Sequence, residues 1–218
     1  LNIPLVNDPL KDVALPGDKV GDYSGEGWGG SAEGTKVSVS VENPKLCPRY
    51  MAAYITDVNV GASPQWLQDA LGAIGQRSVN NIVDATNYVM FNIGQPLHAF
   101  DAGKLQRGGL ASSSGYAIEV RSAKAGEKML ALDGKEYTLN ESMLVIADAN
   151  KDEAIGIAGI KGGMPASITE ETKDIIIESA NFDGVSVRKT AAALKLRTDA
   201  SQRFEQGISS ELAAMGMQ

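Results

Sequence analysis

Between Ala117 and Glu178 the apolar residues come in short runs, none long enough for a stable helix, each bounded by Gly, Asp or Asn. Ala117–Arg121, Glu136–Leu139, Met143–Ala147, Ala154–Ile160 and Asp174–Glu178 therefore read as strands. They follow one another closely, and Asp133-Gly134 is a tight-turn dipeptide, so antiparallel hairpins are predicted. Upstream, Val37, Val39 and Val41 alternate with serines as a half-buried strand, and Arg49 to Val58 reads as a second. Ser63-Pro64 is predicted to open a helix as N-cap and first turn, with Trp66, Leu67, Ala70, Leu71 and Ile74 on its apolar face and Gly75 at its end. A further helix covers Ile82 to Phe91, with Ile82, Ala85, Tyr88 and Val89 inward; two more run over Gly184–Leu194 and from Asp199 to the C-terminus. Strands grouped between helices predict an α+β fold with a mainly antiparallel β core, flanked by helices.

Residues 1–35 carry seven glycines and no clear apolar period, and read as a linker or tail in which Trp28 is a possible anchor. The expected organisation is a linker over 1–35, one functional module over 36–207, and over 208–218 the start of a connection onward. The Leu1 start and the glycine-rich lead-in point to a piece of a longer chain.

Composition narrows the chemistry. One cysteine, Cys47, allows no intrachain disulfide, and with a single histidine the residue counts argue strongly against a structural zinc site, while leaving a carboxylate site for magnesium open. The cysteine usage fits a reducing, cytoplasmic setting. No apolar run reaches the length of a membrane span. The net charge of −7 gives little independent grip on a phosphate backbone, so any RNA must be delivered by something else.

Four segments can carry chemistry. Gly94-Gln95-Pro96-Leu97-His98-Ala99-Phe100-Asp101 holds the only histidine, the one side chain that ordinarily titrates near neutrality, and its Gly and Pro place His98 at a junction outside regular structure. Gly156 to Gly163 follows a strand and offers bare amides to a carboxylate, a phosphate or an oxyanion, or else is a tight hairpin; it lacks the ending of a nucleotide-binding P-loop. Glu178 follows three isoleucines, which puts a partly desolvated carboxylate near a strand end. Thr198 is a good N-cap, and Ala200 and Ser201 keep that helix start small enough to admit a ligand. No serine nucleophile elbow is present.

Taken in order, these words resemble a known family. Arg49-Tyr50, Ser63 to Leu67, Asn80 to Met90, Gly94 to Asp101, Gly159 to Gly163, Glu178 to Phe182 and Arg197 to Gly207 match the bacterial phenylalanyl-tRNA synthetase β chain over about four-fifths of this sequence. The match is to the editing module formed by its third and fourth domains.

The resemblance implies a three-layer, sandwich-like module that hydrolyses tyrosine mistakenly attached to phenylalanine tRNA. It implies site roles for His98, Glu178, Thr198 and Ala200, with Glu178 reading the tyrosine hydroxyl, and substrate contacts from Arg77, Gly159 and Gly162. The local word Gly75-Gln76-Arg77-Ser78-Val79 departs from the family's usual Gly-Ile-Arg-Pro-Ile. No metal or cofactor is implied for this segment; ATP and magnesium belong to the whole enzyme, an α2β2 heterotetramer whose α chain carries aminoacylation. A non-catalytic RNA-positioning or assembly module of the same synthetase is the alternative from another class, and a free-standing deacylase a third reading.

Overall fold

A computed structural model describes residues 21–23 (backbone only), 37–108 and 115–217. Trp28 and nearly all of the expected linker lie outside the described residues.

Two sheets face each other. The first has the order β1 (Gly21–Tyr23), β3 (Arg49–Ile55), β11 (Ile175–Asn181), β4 (Leu97–Asp101), antiparallel throughout. The second has the order β10 (Lys161–Gly162), β9 (Glu153–Ile157), β8 (Leu144–Asp148), β5 (Tyr116–Ser122), β2 (Val37–Val41). Among the described residues only β2 and β5 pair in parallel. A small hairpin, β6 (Lys128–Leu130) and β7 (Glu136–Thr138), turns at Asp133-Gly134 as predicted, with Gly134 at φ 76°.

One core joins the inner faces. Tyr50, Ala52, Phe100 and Ile176 of the first sheet pack with Ile118, Val120, Val145 and Ile155 of the second. Val187 of α3 (Gly184–Leu194) and Phe204 of α4 (Asp199–Glu205) close the same core. The outer face of the first sheet is covered by α2 (Asn81–Ile93) and α5 (Leu212–Gly216), where Met51 meets Ala213 and Ala214. Ser179 donates to the Ala213 carbonyl at 2.8 Å and fastens α5 down. The predicted α+β, mainly antiparallel, layered architecture is the one found.

Several local expectations are corrected. His98 is not at an irregular junction; it is the second residue of β4, because Gly94, at φ 85°, ends α2 and the chain extends again directly after Pro96. Glu178 is mid-strand in β11, not at its end. Ser63 does not cap α1 (Gln65–Ala73); Pro64 holds that position, and the Ser63 hydroxyl donates to Asp84. Trp66 and Ile74 are 59% and 52% exposed, so only Leu67 and Leu71 anchor α1. On α2 the buried residues are Asp84, Thr86 and Met90, while Ala85 is exposed. Asp84 tolerates burial because Ser63, Ser78 and the Val79 amide all donate to it. The expected single C-terminal helix is two, broken where Gly207 takes φ 77°. The strand begun at Arg49 stops at Ile55, short of Asp57 in left-handed backbone at φ 57°.

Candidate functional site

The site grows out of the pairing of two strands. In β11–β4, Glu178 stands directly opposite His98, so both side chains leave the same face of the first sheet. Ala180 pairs with Tyr50 two residues along, which puts Tyr50 on that face too, diagonal to Glu178. Three consecutive isoleucines before Glu178 explain why a strand continues through a carboxylate: β-branched residues suit a pleated, buried surface.

This face looks across to β10, the edge of the second sheet. A small cavity lies in the seam, lined by His98, Glu178, Gly159, Gly162, Ala200 and Phe204 among others. A second, outer cavity is walled partly by Asn80, the N-cap of α2, and by Asn87, midway along it. Leu97, His98, Ile160, Lys161 and Gly162 border both. His98 thus stands in the partition between an inner and an outer chamber.

Burial sets the charges. Glu178 is buried, and desolvation pushes its carboxyl up to about 7. The Tyr50 hydroxyl donates to Oε2 at 2.7 Å and pulls the other way, favouring the carboxylate. Burial lowers His98 to about 4, so the imidazole is neutral at pH 7. Its ring meets Phe100 edge-on at 4.7 Å. Cys47, beside this pair, is fully buried; desolvation raises its thiol far above the range in which a thiolate forms, and it is inert as a nucleophile. Lys161 is the one cation lining either cavity among the described residues, 3.8 Å from Asp133.

The glycine segment is a hairpin, the alternative reading of its sequence, and it also lines the cavity. Gly159 turns at φ 69°, and a Cβ there would lie 3.0 Å from both Phe182 and Phe204. The amides of Ala158, Ile160 and Gly163 are committed to the carbonyls of Leu144, Ile157 and Ile155. With Gly163 bonded back to β9, the alternation of the ladder turns the Gly162 amide and carbonyl outward. Leu132 N takes that carbonyl at 3.1 Å, which leaves the Gly162 N–H as a donor on the outer edge.

Thr198 caps α4, accepting from the Ser201 amide at 3.1 Å, and donates its hydroxyl to the Ile160 carbonyl at 2.9 Å. It buttresses the turn and is not among the cavity-lining residues; Ala200, two residues on, is. Arg77 is exposed in the loop between α1 and α2, two residues from Val79 of the outer cavity, and does not line the inner one. The structure therefore brings His98, Glu178, Gly159, Gly162 and Ala200 together, sets Thr198 behind them, and leaves Arg77 outside.

Sequence reasoning missed Tyr50 and Lys161 as site residues. Alternation along β3 was the available signal for Tyr50; its partner lies 128 residues away. Among the described residues no group of three His, Cys, Asp or Glu could hold a metal, and no helix is long and apolar enough to cross a membrane.

A family model described as B3/4 domain matches residues 46–218. The chain is 50% identical over 175 residues to the phenylalanine–tRNA ligase β subunit of Carboxydothermus hydrogenoformans, covering 80% of this chain and 21% of that protein. It is 52% identical over 169 residues to that of Solibacter usitatus, covering 78% and 21%, and 44% identical over 182 residues to that of Dehalococcoides mccartyi, covering 84% and 21%. The chain thus spans about a fifth of the length of these relatives.

Proposed function

The chain belongs to the B3/4 domain family, as that part of a phenylalanine–tRNA ligase β subunit, and from this premise we propose that it is a proofreading hydrolase that cleaves tyrosine from mischarged phenylalanine tRNA. The observation that carries this reading is Glu178: a buried carboxylate lining a cavity, directly across the sheet from the only histidine.

The physical need is clear. A pocket built for phenylalanine rejects an analogue with one added hydroxyl by only roughly a hundredfold. A second site must select for that hydroxyl. Glu178 accepts the phenolic hydrogen of tyrosine; phenylalanine leaves one oxygen of the buried carboxylate without a partner, at about 1–3 kcal/mol. The correct product is spared by that difference.

The hydrolysis asks little more. An aminoacyl ester is already activated, and with Cys47 inert the attacking group is water. His98, neutral at working pH, orients that water or the ribose end of the tRNA through a ring nitrogen; with its proton affinity depressed to about 4 it is a weak base, so positioning is its main part. The outward N–H of Gly162 is the donor nearest to hand for the developing oxyanion. The inner chamber takes the amino-acid side chain, and the outer chamber takes the terminal nucleoside, with Arg77 on its approach. Thr198 supports the wall, and Ala200 keeps it open.

In this reading the α chain, with ATP and magnesium, makes the ester elsewhere in the enzyme. The net charge of −7 leaves delivery of the tRNA to those other parts. The test is single-turnover deacylation of tyrosyl- and phenylalanyl-tRNA by the complete protein and by its Glu178→Ala variant. The wild type is expected to prefer the tyrosyl ester and the variant to lose the preference. If the complete protein hydrolyses neither ester, the domain is an RNA-positioning module instead.

A further inference from the structure

Glu178 has two oxygens, and only one is free. Oε2 receives the Tyr50 hydroxyl at 2.7 Å; among the described residues no donor bonds Oε1. Tyr50 is fully buried, in the inter-sheet core that also holds Ala52 and Ala180, and its bond to the carboxylate is made before any ligand arrives.

We propose that Tyr50 is a positioning residue for ligand selection: by holding Oε2 it aims Oε1 alone into the cavity, so that a ligand hydroxyl meets one fixed acceptor. This deepens, and rests on, the hydrolase reading above. A carboxylate free to rotate would offer either oxygen at a range of angles, and selection for a hydroxyl would weaken. The phenol also stabilises the charged form of a carboxyl that burial disfavours. The other titratable groups facing it are the Cys47 thiol beside β3, His98 on β4 and Lys161 on β10. The first two are neutral at pH 7, and Lys161 sits toward Asp133, so Tyr50 is the group bonded to Glu178.

The test compares wild type, Tyr50→Phe, Glu178→Ala and the double variant in the complete protein. Preference for the tyrosyl over the phenylalanyl ester is measured from pH 5.5 to 9. Protonation of Glu178 is followed independently by the infrared carboxyl band that disappears in Glu178→Gln. Loss of the phenol is expected to lower the preference about tenfold at pH 7 and to move both midpoints to higher pH. In the Glu178→Ala background the same change is expected to do nothing further. Wild-type preference and an unmoved carboxyl midpoint in Tyr50→Phe overturn the proposal while the hydrolase reading stands. If the wild type hydrolyses neither ester, that reading fails and the selection role of Tyr50 falls with it, an outcome distinct from a wild type that is active and a Tyr50→Phe variant with unchanged preference. Should Tyr50→Phe not fold, Glu178→Gln tests the other end of the bond. It is expected to abolish the pH dependence of the preference, and a preserved dependence overturns the proposal.

Discussion

The imidazole of His98 rests on the α-carbon of Gly162: a methyl group there would stand 2.4 Å from Cε1 and 2.5 Å from Nε2. The glycine is required by the histidine's position and not by its own backbone, which has no positive φ. Gly162→Ala should therefore fold, since the ring at the end of a side chain can give way, at a cost of about 1–2 kcal/mol. Deacylation of the tyrosyl ester should fall at least tenfold because the ring is displaced. A wild-type rate would show that this contact does not position His98. Gly159→Ala is the contrasting case. It combines positive φ with a crowd of Phe182, Phe204 and Val187, and its cost should appear first as about 2–4 kcal/mol of lost stability in denaturant unfolding.

The low proton affinity of His98 predicts that the histidine leaves no mark of its own on the pH profile. With the imidazole neutral above about pH 5, the deacylation rate should show no histidine inflection between pH 6 and 8. His98→Ala should nevertheless slow the reaction, and His98→Asn, which retains a hydrogen-bonding side chain, should recover part of it. A clear inflection near 6.5 that vanishes in His98→Ala would reinstate general-base catalysis.

Glu178 makes the fold itself pH-sensitive. Its carboxyl titrates near 7 when folded against an ordinary value of 4.5, so over that window the folded chain holds a proton that the unfolded chain has lost. Stability from this group is present at low pH and declines as pH rises from about 4.5 to 7. Glu178→Gln removes the penalty. Measured by urea unfolding, its stability relative to wild type should increase across that window, by up to about 3 kcal/mol. His98 acts in the opposite sense, costing stability as pH falls from about 6.5 to 4, so the comparison must be made in the Gln variant against wild type at each pH.

Thr198 joins two elements through one hydroxyl. Thr198→Ala should lose about 1–2 kcal/mol from the cap and the Ile160 bond together. Tyrosyl-ester hydrolysis should drop with it as the turn at Gly159 loosens. Thr198→Ser should restore both. Recovery of stability without recovery of rate would show that the threonine methyl, and not the hydroxyl, serves the site.

The fold was legible wherever local chemistry repeats. The alternation of Val37–Val41, the Asp133-Gly134 turn and the Thr198 cap each state their structure within a few residues. The β4 strand was harder: Gly94 and Pro96 look like the punctuation of a loop, and five residues are too few to show a period. Glu178 was expected at a strand end because a carboxylate closes the apolar run of three isoleucines. What permits it in mid-strand is the hydroxyl of Tyr50, a partner too distant in sequence to leave a local trace. Ser63 misled for the related reason that its hydroxyl serves Asp84, on another helix.

The candidate site is a seam between two sheet edges, β4 on one side and β10 on the other, and a seam has no hinge of its own. Its width is the spacing of the sandwich. Ile146 and Ile157 belong at once to the inter-sheet core and to the wall of the inner cavity. A change of side-chain volume at either one therefore reshapes the chamber as well as the core, so packing and cavity shape are set by the same atoms.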